Sequence, residues 1–256
     1  MIGLVLDLDG VVYRARQALP GAADTLTWAG RHHRVLFATN NSSRTPAEVS
    51  GKISAITGFR ASPEMVVTSA MAAAAIADPV PTHVVGGDGI TVALEARGIP
   101  IVDAPDAAQV VSGIDFGFTY ESLTAAATAL RGGARWIATN TDATYPVEAG
   151  EWPGAGAVVA ALATASGRTP EVAGKPHRPM IDLVADRLGA APTHVVVVGD
   201  RPETDLALAR AAGWTAVLAL SGVTRAASDV PADLAPDATI ETLGELPALL
   251  RRLGVA

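Results

Sequence analysis

The sequence predicts an α/β protein in which one parallel-sheet unit carries a second α/β unit inserted within it. Short β-branched or aliphatic runs alternate with longer alanine- and leucine-rich stretches, the rhythm of βα units around a parallel sheet. Ile2 to Leu6 and Val195 to Val198 are continuous apolar runs, as strands buried on both faces are. Two breaks, Asp78-Pro79-Val80-Pro81 and Gly167 to Pro170, divide the chain into an outer unit of 1–78 and 171–256 and an inserted unit of 79–170.

Taken in order, Ile2 to Leu6, Val35 to Ala38 and Met65 to Val67 read as strands of the outer unit. Thr45-Pro46 and Ser62-Pro63 each set a capping hydroxyl before a proline suited to a first helical turn. In the inserted unit Val84-Val85, Ile99 to Val102, Val110-Val111 and Trp136 to Ala138 read as strands. Helices are expected near Ile90 to Arg97, Leu123 to Leu130 and Ala157 to Ala165. The outer unit resumes with strands at Val195 to Val198 and Ala216 to Leu220, then a last strand at Ala238 to Ile240 and a helix from Leu243 to Leu253. Thr82 to Gly89 echoes Thr193 to Asp200, and Ala38-Thr39-Asn40 echoes Ala138-Thr139-Asn140; without a fixed period these read as strand ends reaching similar turns.

A chain of 256 residues is long enough to bury roughly 70% of its unfolded surface without staples. It has no cysteine, so disulfides, thiolate metal sites and thiol nucleophiles are excluded. The formal charge of -7 argues against bulk binding to nucleic acid or an anionic membrane surface. No apolar run approaches the ~20 residues that span a bilayer. The N-terminus reaches Asp7 without a basic leader or a signal-length apolar core, which predicts a mature, cytoplasmic sequence.

Four stretches can carry chemistry. Asp7-Leu8-Asp9-Gly10 closes the first apolar run, and residues two apart in extended chain face the same side, at the carboxyl edge where open parallel sheets place ligands. Two carboxylates there repel unless a cation or proton joins them, and a hard divalent ion would do so. The same four residues also read as a polar turn. Thr39-Asn40-Asn41-Ser42-Ser43-Arg44 offers hydroxyl, amide and backbone donors to a phosphoryl oxygen, or Asx-turn and capping chemistry. Lys175, in Gly174-Lys175-Pro176, is one of two lysines against seventeen arginines, and a compact ammonium suits a bridge between carboxylate and phosphate. The other, Lys52, reads as solvated. Gly199-Asp200 and Thr204-Asp205 follow the run from Val195; both acids can face the cleft of Asp7, or form an ordinary strand-to-helix connection. Asp88 reads as a turn residue, the histidines lack metal-ligand spacing, and Ser221 lacks a nucleophile elbow.

In that order the four stretches resemble the motifs of the haloacid dehalogenase-like phosphohydrolase superfamily. The segment between the second and third motifs, with Ala138-Thr139-Asn140-Thr141-Asp142 and Pro153-Gly154-Ala155-Gly156, is similar to the branch with a large α/β cap, which includes 4-nitrophenyl, phosphoglycolate and pyridoxal phosphate phosphatases. The resemblance covers essentially the whole chain. It implies a Rossmann-like parallel-sheet core with an inserted α/β cap domain, and a magnesium-dependent phosphatase of small phosphate monoesters. Asp7 would be the nucleophile that becomes an aspartyl phosphate, and Asp9 the acid, then base. Mg2+ would be held by Asp7, the backbone carbonyl of Asp9 and Asp200. Thr39 with groups from Asn40 and Asn41 would hold the phosphoryl oxygens, Lys175 would neutralise their charge, and Asp205 would orient a metal-bound water or Lys175. The cap would close over the site, its loop from Asn140 to Trp152 choosing the substrate, with Asp142 and Tyr145 as specificity candidates. Pyridoxal-phosphate-directed members carry a histidine where Thr144-Tyr145-Pro146 stands, which puts that substrate in doubt. Apolar cap surfaces leave room for a homodimer. The same aspartyl phosphate would serve a phosphotransferase or mutase, and a non-catalytic phosphometabolite-binding module is the alternative from a different class.

Overall fold

The computed structural model describes residues 1–147, 150–189 and 192–255. The chain forms two compact units, one of Met1–Thr39, Ala47–Val67 and Ile181–Ala256, the other of Asn40–Pro46 and Thr68–Met180.

The strands run in chain order β1 (Gly3–Leu6), β2 (Tyr13–Arg14), β3 (Gln17–Ala18), β4 (Arg34–Thr39), β5 (Val66–Thr68), β6 (Thr82–Val85) and β7 (Gln109–Ser112). They continue with β8 (Arg135–Ala138), β9 (Thr144–Val147), β10 (Gly150–Pro153), β11 (Glu171–Val172), β12 (Val195–Gly199), β13 (Thr215–Ala219) and β14 (Ala238–Ile240). In the first unit a six-stranded sheet has the order β14-β13-β12-β1-β4-β5. Its central strand β1 pairs in parallel with β12 on one side and β4 on the other, Leu6 lying opposite both Val198 and Phe37. All four β1 residues are buried, which is why the run shows no polar alternation. Leu4, Leu6, Phe37, Val196 and Val198 join Leu26, Ile53 and Leu246 in one core cluster.

In the second unit β11-β8-β7-β6 form a four-stranded sheet, parallel at every pairing, and β9 and β10 form an antiparallel hairpin. The guanidinium of Arg135 bonds Asp78 at 2.9 Å and Glu171 at 2.6 Å, so one side chain ties the two ends of this sheet's chain segment together. Among the described residues, no helix is long and apolar enough to cross a membrane.

Several expectations are corrected. Ile99 to Val102 is not a strand: Pro100 has no N–H to give a ladder, and Ile101 makes an isolated bridge to Thr82. Ser62-Pro63 opens only the 3-10 turn Pro63–Met65, and the Ser62 side chain makes no capping bond. Leu243 to Leu253 divides into a 3-10 turn, Leu243–Glu245, and the helix Leu246–Arg252. The helix Ser69–Ile76, capped by the Thr68 hydroxyl accepting from the Met71 N–H at 3.2 Å, was hidden in an alanine run without amphipathic contrast. Lys52 is not simply solvated, because its ammonium lies 3.8 Å from the centroid of the buried Tyr13 ring.

Phe37 is fully buried and meets Phe59 edge-on at 6.3 Å between centroids. Phe37→Ala is expected to lower the unfolding free energy by about 3–5 kcal/mol, read from urea denaturation; a loss under about 1 kcal/mol would mean the core is not packed around this ring.

Candidate active site

Parallel register gathers the acids of the first unit. The Asp7 N–H bonds the Val198 carbonyl at 2.9 Å, carrying the β1–β12 ladder one residue beyond the strand. Asp200 follows the end of β12 directly, so both acids emerge at the carboxyl edge of neighbouring strands. Asp205 stands in the π-helical turn Pro202–Leu206 rather than at the start of an α-helix. Among the described residues, Asp7, Asp200 and Asp205 each offer a carboxylate oxygen, all within 4.8 Å of one another. Asp200 and Asp205 are buried and Asp7 is half-buried.

Asp9, also half-buried, contributes no carboxylate oxygen to that group. Leu8 between Asp7 and Asp9 is in the core, the alternation expected of extended chain. Asp9 then bridges to Tyr13, and the Gly10 N–H bonds the Tyr13 carbonyl at 2.9 Å, leading into the β2–β3 hairpin.

The deeper acids are held by backbone donors. Asp205 Oδ2 accepts the N–H groups of Asp200 at 3.2 Å and Arg201 at 3.1 Å, so this carboxylate shapes the turn that presents Asp200. Asp200 Oδ2 accepts the Val223 N–H at 2.6 Å. A Cβ at Gly10 or Gly222 would collide with the Asp200 carboxylate, and Gly10 has φ +95°, so glycine is required there on two counts. The Ser221 hydroxyl donates to the Gly10 carbonyl at 2.8 Å, and Arg14 donates to the Ser221 carbonyl at 2.7 Å. Sequence reasoning missed Gly222 and Val223 as neighbours of the Asp200 carboxylate and Ser221 as a donor to Gly10. The only signal was the Ser-Gly pair after β13, and a backbone donor leaves no trace in residue type.

The second unit gathers another set. Thr39, the last residue of β4, is buried, and Asn40, which follows it, belongs to this unit. Lys175 is only 5% exposed. The Asn40 side chain accepts the Lys175 N–H at 2.8 Å and donates to the Lys175 carbonyl at 3.2 Å. Its Nδ2 also donates to both carboxylate oxygens of Asp142, at 3.0 and 3.1 Å. Asn41 Oδ1 accepts the N–H and hydroxyl of Ser43 at 2.9 and 2.8 Å, a local turn, while Asn41 Nδ2 approaches the Tyr145 hydroxyl at 3.4 Å.

Tyr145 lies on β9 and Trp152 on β10 of the hairpin; residues 148 and 149 of the loop from Asn140 to Trp152 lie outside the described residues. The Phe116 ring meets Tyr145 at 5.6 Å and Trp152 at 6.0 Å, beside a cavity of about 280 Å³ lined also by Phe118, Pro153 and Val158. Asp142 and Tyr145 of this segment thus bond the amides of Asn40 and Asn41, while the Tyr145 and Trp152 rings flank Phe116.

The chain is similar in sequence and in fold to known hydrolases. A family model described as haloacid dehalogenase-like hydrolase matches residues 4–100, and a HAD-hydrolase-like model matches 172–246. An acid sugar phosphatase of Staphylococcus haemolyticus is 36% identical over 227 residues, covering 87% of this chain and 86% of that protein. The structure of a glycerol phosphate phosphatase of Mycobacterium tuberculosis in complex with magnesium superposes with a TM-score of 0.87 at 37% identity, covering 94% of this chain and 75% of the other. A p-nitrophenyl phosphatase from Archaeoglobus fulgidus gives a TM-score of 0.88 at 29% identity, covering 97% of this chain and 98% of that one.

The residues present fit magnesium. The donor set is all oxygen, two of its three acids are buried, and bare carboxylates this close would repel by at least about 3 kcal/mol per pair at an effective dielectric near 20. Gly222→Ala is expected to push the Asp200 carboxylate aside and weaken Mg2+ binding about tenfold or more, measured by calorimetric titration on the folded variant. Unchanged affinity would show that Asp200 does not depend on this cradle.

Proposed function

The chain belongs to the haloacid dehalogenase-like hydrolase family, in its 4-nitrophenyl phosphatase-type branch with an inserted α/β cap, and is a phosphoric monoester hydrolase; from that premise we propose how its residues divide the work on small phosphate esters of the sugar, glycerol or aryl phosphate type. The observation that carries the reading is the half-buried Asp7 carboxylate beside two buried ones at the carboxyl edge of β1 and β12.

Asp7 attacks phosphorus, and the P–O bond to the alcohol breaks as the new P–O bond to its carboxylate forms. Asp9 gives its proton to the departing alkoxide oxygen. It then takes a proton from the water that attacks the aspartyl phosphate, releasing inorganic phosphate and restoring Asp7. Splitting one slow hydrolysis into two displacements with a carboxylate nucleophile and a carboxyl acid–base needs no thiol, in keeping with a chain without cysteine. Asp7, the backbone carbonyl of Asp9 and Asp200 would hold Mg2+, with Asp205 fixing the turn before them. The ion supplies positive charge that lets an anionic nucleophile meet an anionic ester. Thr39, together with main-chain or side-chain groups of Asn40 and Asn41, holds the phosphoryl oxygens, and the Lys175 ammonium offsets the charge spread over them. The burial of Lys175 supports that role, since an ammonium in low dielectric requires anionic company.

The reading also includes a homodimer, supported by the exposed rings of Phe116, Tyr120 and Trp152 on the inserted unit. Sedimentation is expected to give about twice the 26.0 kDa chain mass, and a monomer at micromolar concentration would remove this part alone.

The mechanism is tested by hydrolysis of 4-nitrophenyl, glycerol and hexose phosphates with Mg2+ and with chelator. Asp7→Asn is expected to lose on the order of 10³-fold or more in kcat and Asp9→Asn about 10²–10⁴-fold, both folded by circular dichroism. Wild-type turnover should vanish in chelator and return with Mg2+. Full activity in Asp7→Asn, or indifference to chelator, would overturn the assignment.

A further inference from the structure

Asn40 stands out among the polar residues of the second unit, because both ends of its side-chain amide and its main-chain carbonyl are engaged. The orientation of its amide follows from its neighbours: a backbone N–H can only donate and a carboxylate can only accept. Oδ1 therefore faces the Lys175 N–H at 2.8 Å, and Nδ2 faces Asp142 and the Lys175 carbonyl. Nδ2 carries two hydrogens and faces three acceptors, the two Asp142 oxygens at 3.0 and 3.1 Å and the Lys175 carbonyl at 3.2 Å. The Asn40 carbonyl accepts the Ser69 hydroxyl at 2.6 Å and the Asn140 amide at 2.7 Å.

The amide of Asn40 thus bonds both the N–H and the C=O of one residue, Lys175, as a neighbouring strand would. Lys175 follows the end of β11, and Gly174 lies so close to Asn40 and Thr139 that a Cβ there would collide with both. Asp142 is fixed in turn: its N–H donates to Asn140 Oδ1 at 3.0 Å, and its carbonyl accepts the Gly156 N–H at 2.9 Å. Asn40 is 8% exposed, so these bonds work in a low dielectric, where a lost partner is felt strongly.

We infer that Asp142 is a positioning residue that acts through Asn40 on the main chain of Lys175, rather than a group that reads the leaving alcohol of the substrate. The inference rests on the phosphatase reading for its effect on turnover. It separates two roles that the loop from Asn140 to Trp152 could play: Asp142 holds the lysine's backbone in place, and any discrimination among substrates falls to other residues of the loop. A positioning residue lowers kcat by one factor for every ester, whereas a leaving-group reader changes the ranking of substrates.

The test uses four variants of the full chain on 4-nitrophenyl phosphate, glycerol phosphate and a hexose phosphate, with amide hydrogen exchange at Lys175 followed by NMR. Asp142→Ala is expected to lower kcat about 10–100-fold by the same factor on all three esters, with KM within about twofold, and to speed exchange of the Lys175 N–H. Asp142→Asn keeps one acceptor for Asn40 and should fall between wild type and Asp142→Ala. Asn40→Asp sets two carboxylates against each other and removes the donor to the Lys175 carbonyl, so it should be the most impaired. In the double variant Asn40→Asp with Asp142→Asn, the new amide donates to the new carboxylate, which still accepts the Lys175 N–H. Its kcat should exceed that of Asn40→Asp about tenfold.

A loss in Asp142→Ala that differs more than about fivefold between esters, unchanged exchange at Lys175, or a double variant no better than Asn40→Asp would each overturn the inference. If wild type hydrolyses none of the three esters, it is the phosphatase reading that fails, and the exchange measurement still decides whether Asp142 holds Lys175 through Asn40.

Discussion

The structure depends first on keeping three carboxylates in one small volume. Nothing about Asp7, Asp200 and Asp205 favours their meeting; each would be better solvated alone. They are brought together by apolar forces acting elsewhere. The valines of β12 and the aliphatic residues of β1 bury both faces of the sheet centre, and the parallel register sets Leu6 beside Val198. Since side chains alternate with a period of two, a slip of one residue would exchange Leu4 and Leu6 with Gly3 and Val5 between the two buried faces, and the volumes on each face would no longer match their neighbours. The core therefore fixes the register, and the register fixes the acids. Hydrophobic burial holds an electrostatic arrangement that could not hold itself.

The second unit solves a different problem, the burial of loop backbone. Loops that leave the surface must find partners for every N–H and C=O. The segment at Lys175 finds them in a side chain, because the Asn40 amide presents one acceptor and one donor with spacing close to that of a peptide. Neither aspartate nor leucine could do this, the first lacking a donor and the second both groups. The bidentate hold of Asp142 on the same nitrogen then removes the freedom of Asn40 to rotate. The local turn of Asn41 with Ser43 shows that adjacent asparagines in one stretch serve unlike ends.

How much of this was legible in the sequence follows from what each feature requires. A strand buried on both faces that ends in an acid has to spell itself in residue types, so β1 with Asp7 and β12 with Asp200 could be read directly. Lys175 stood out because lysine is scarce in this chain. The Ile99 to Val102 run misled because it has strand-like residue types, but Pro100 cannot donate. The β9–β10 hairpin was unreadable as such, since Tyr-Pro-Val and Glu-Trp-Pro show no clean alternation and β10 is exposed throughout. Least legible were contacts made by main-chain groups or by common polar side chains. The Val223 N–H on Asp200 and the Ser69 hydroxyl on Asn40 depend on distant segments meeting, and any residue type supplies an N–H.

Three carboxylates in one largely buried corner concentrate negative charge where low dielectric disfavours it. Oriented backbone dipoles offset part of it: Val223 donates to Asp200, and Asp200 and Arg201 donate to Asp205. These donors serve the two acids that are nearly inaccessible, each 1% exposed. Their orientation is thereby fixed before any cation arrives, and the order of the site does not rely on the ion alone. Asp7 differs in being half-buried, so it is the member of the three that a reactant from solution can reach. A residue that forms and breaks a covalent bond in each turnover must be approachable, while residues that only hold charge in place are better immobile. The exposure difference among three chemically identical side chains thus supports the separate parts proposed for them, and it arises from the backbone around each acid, not from the acids themselves.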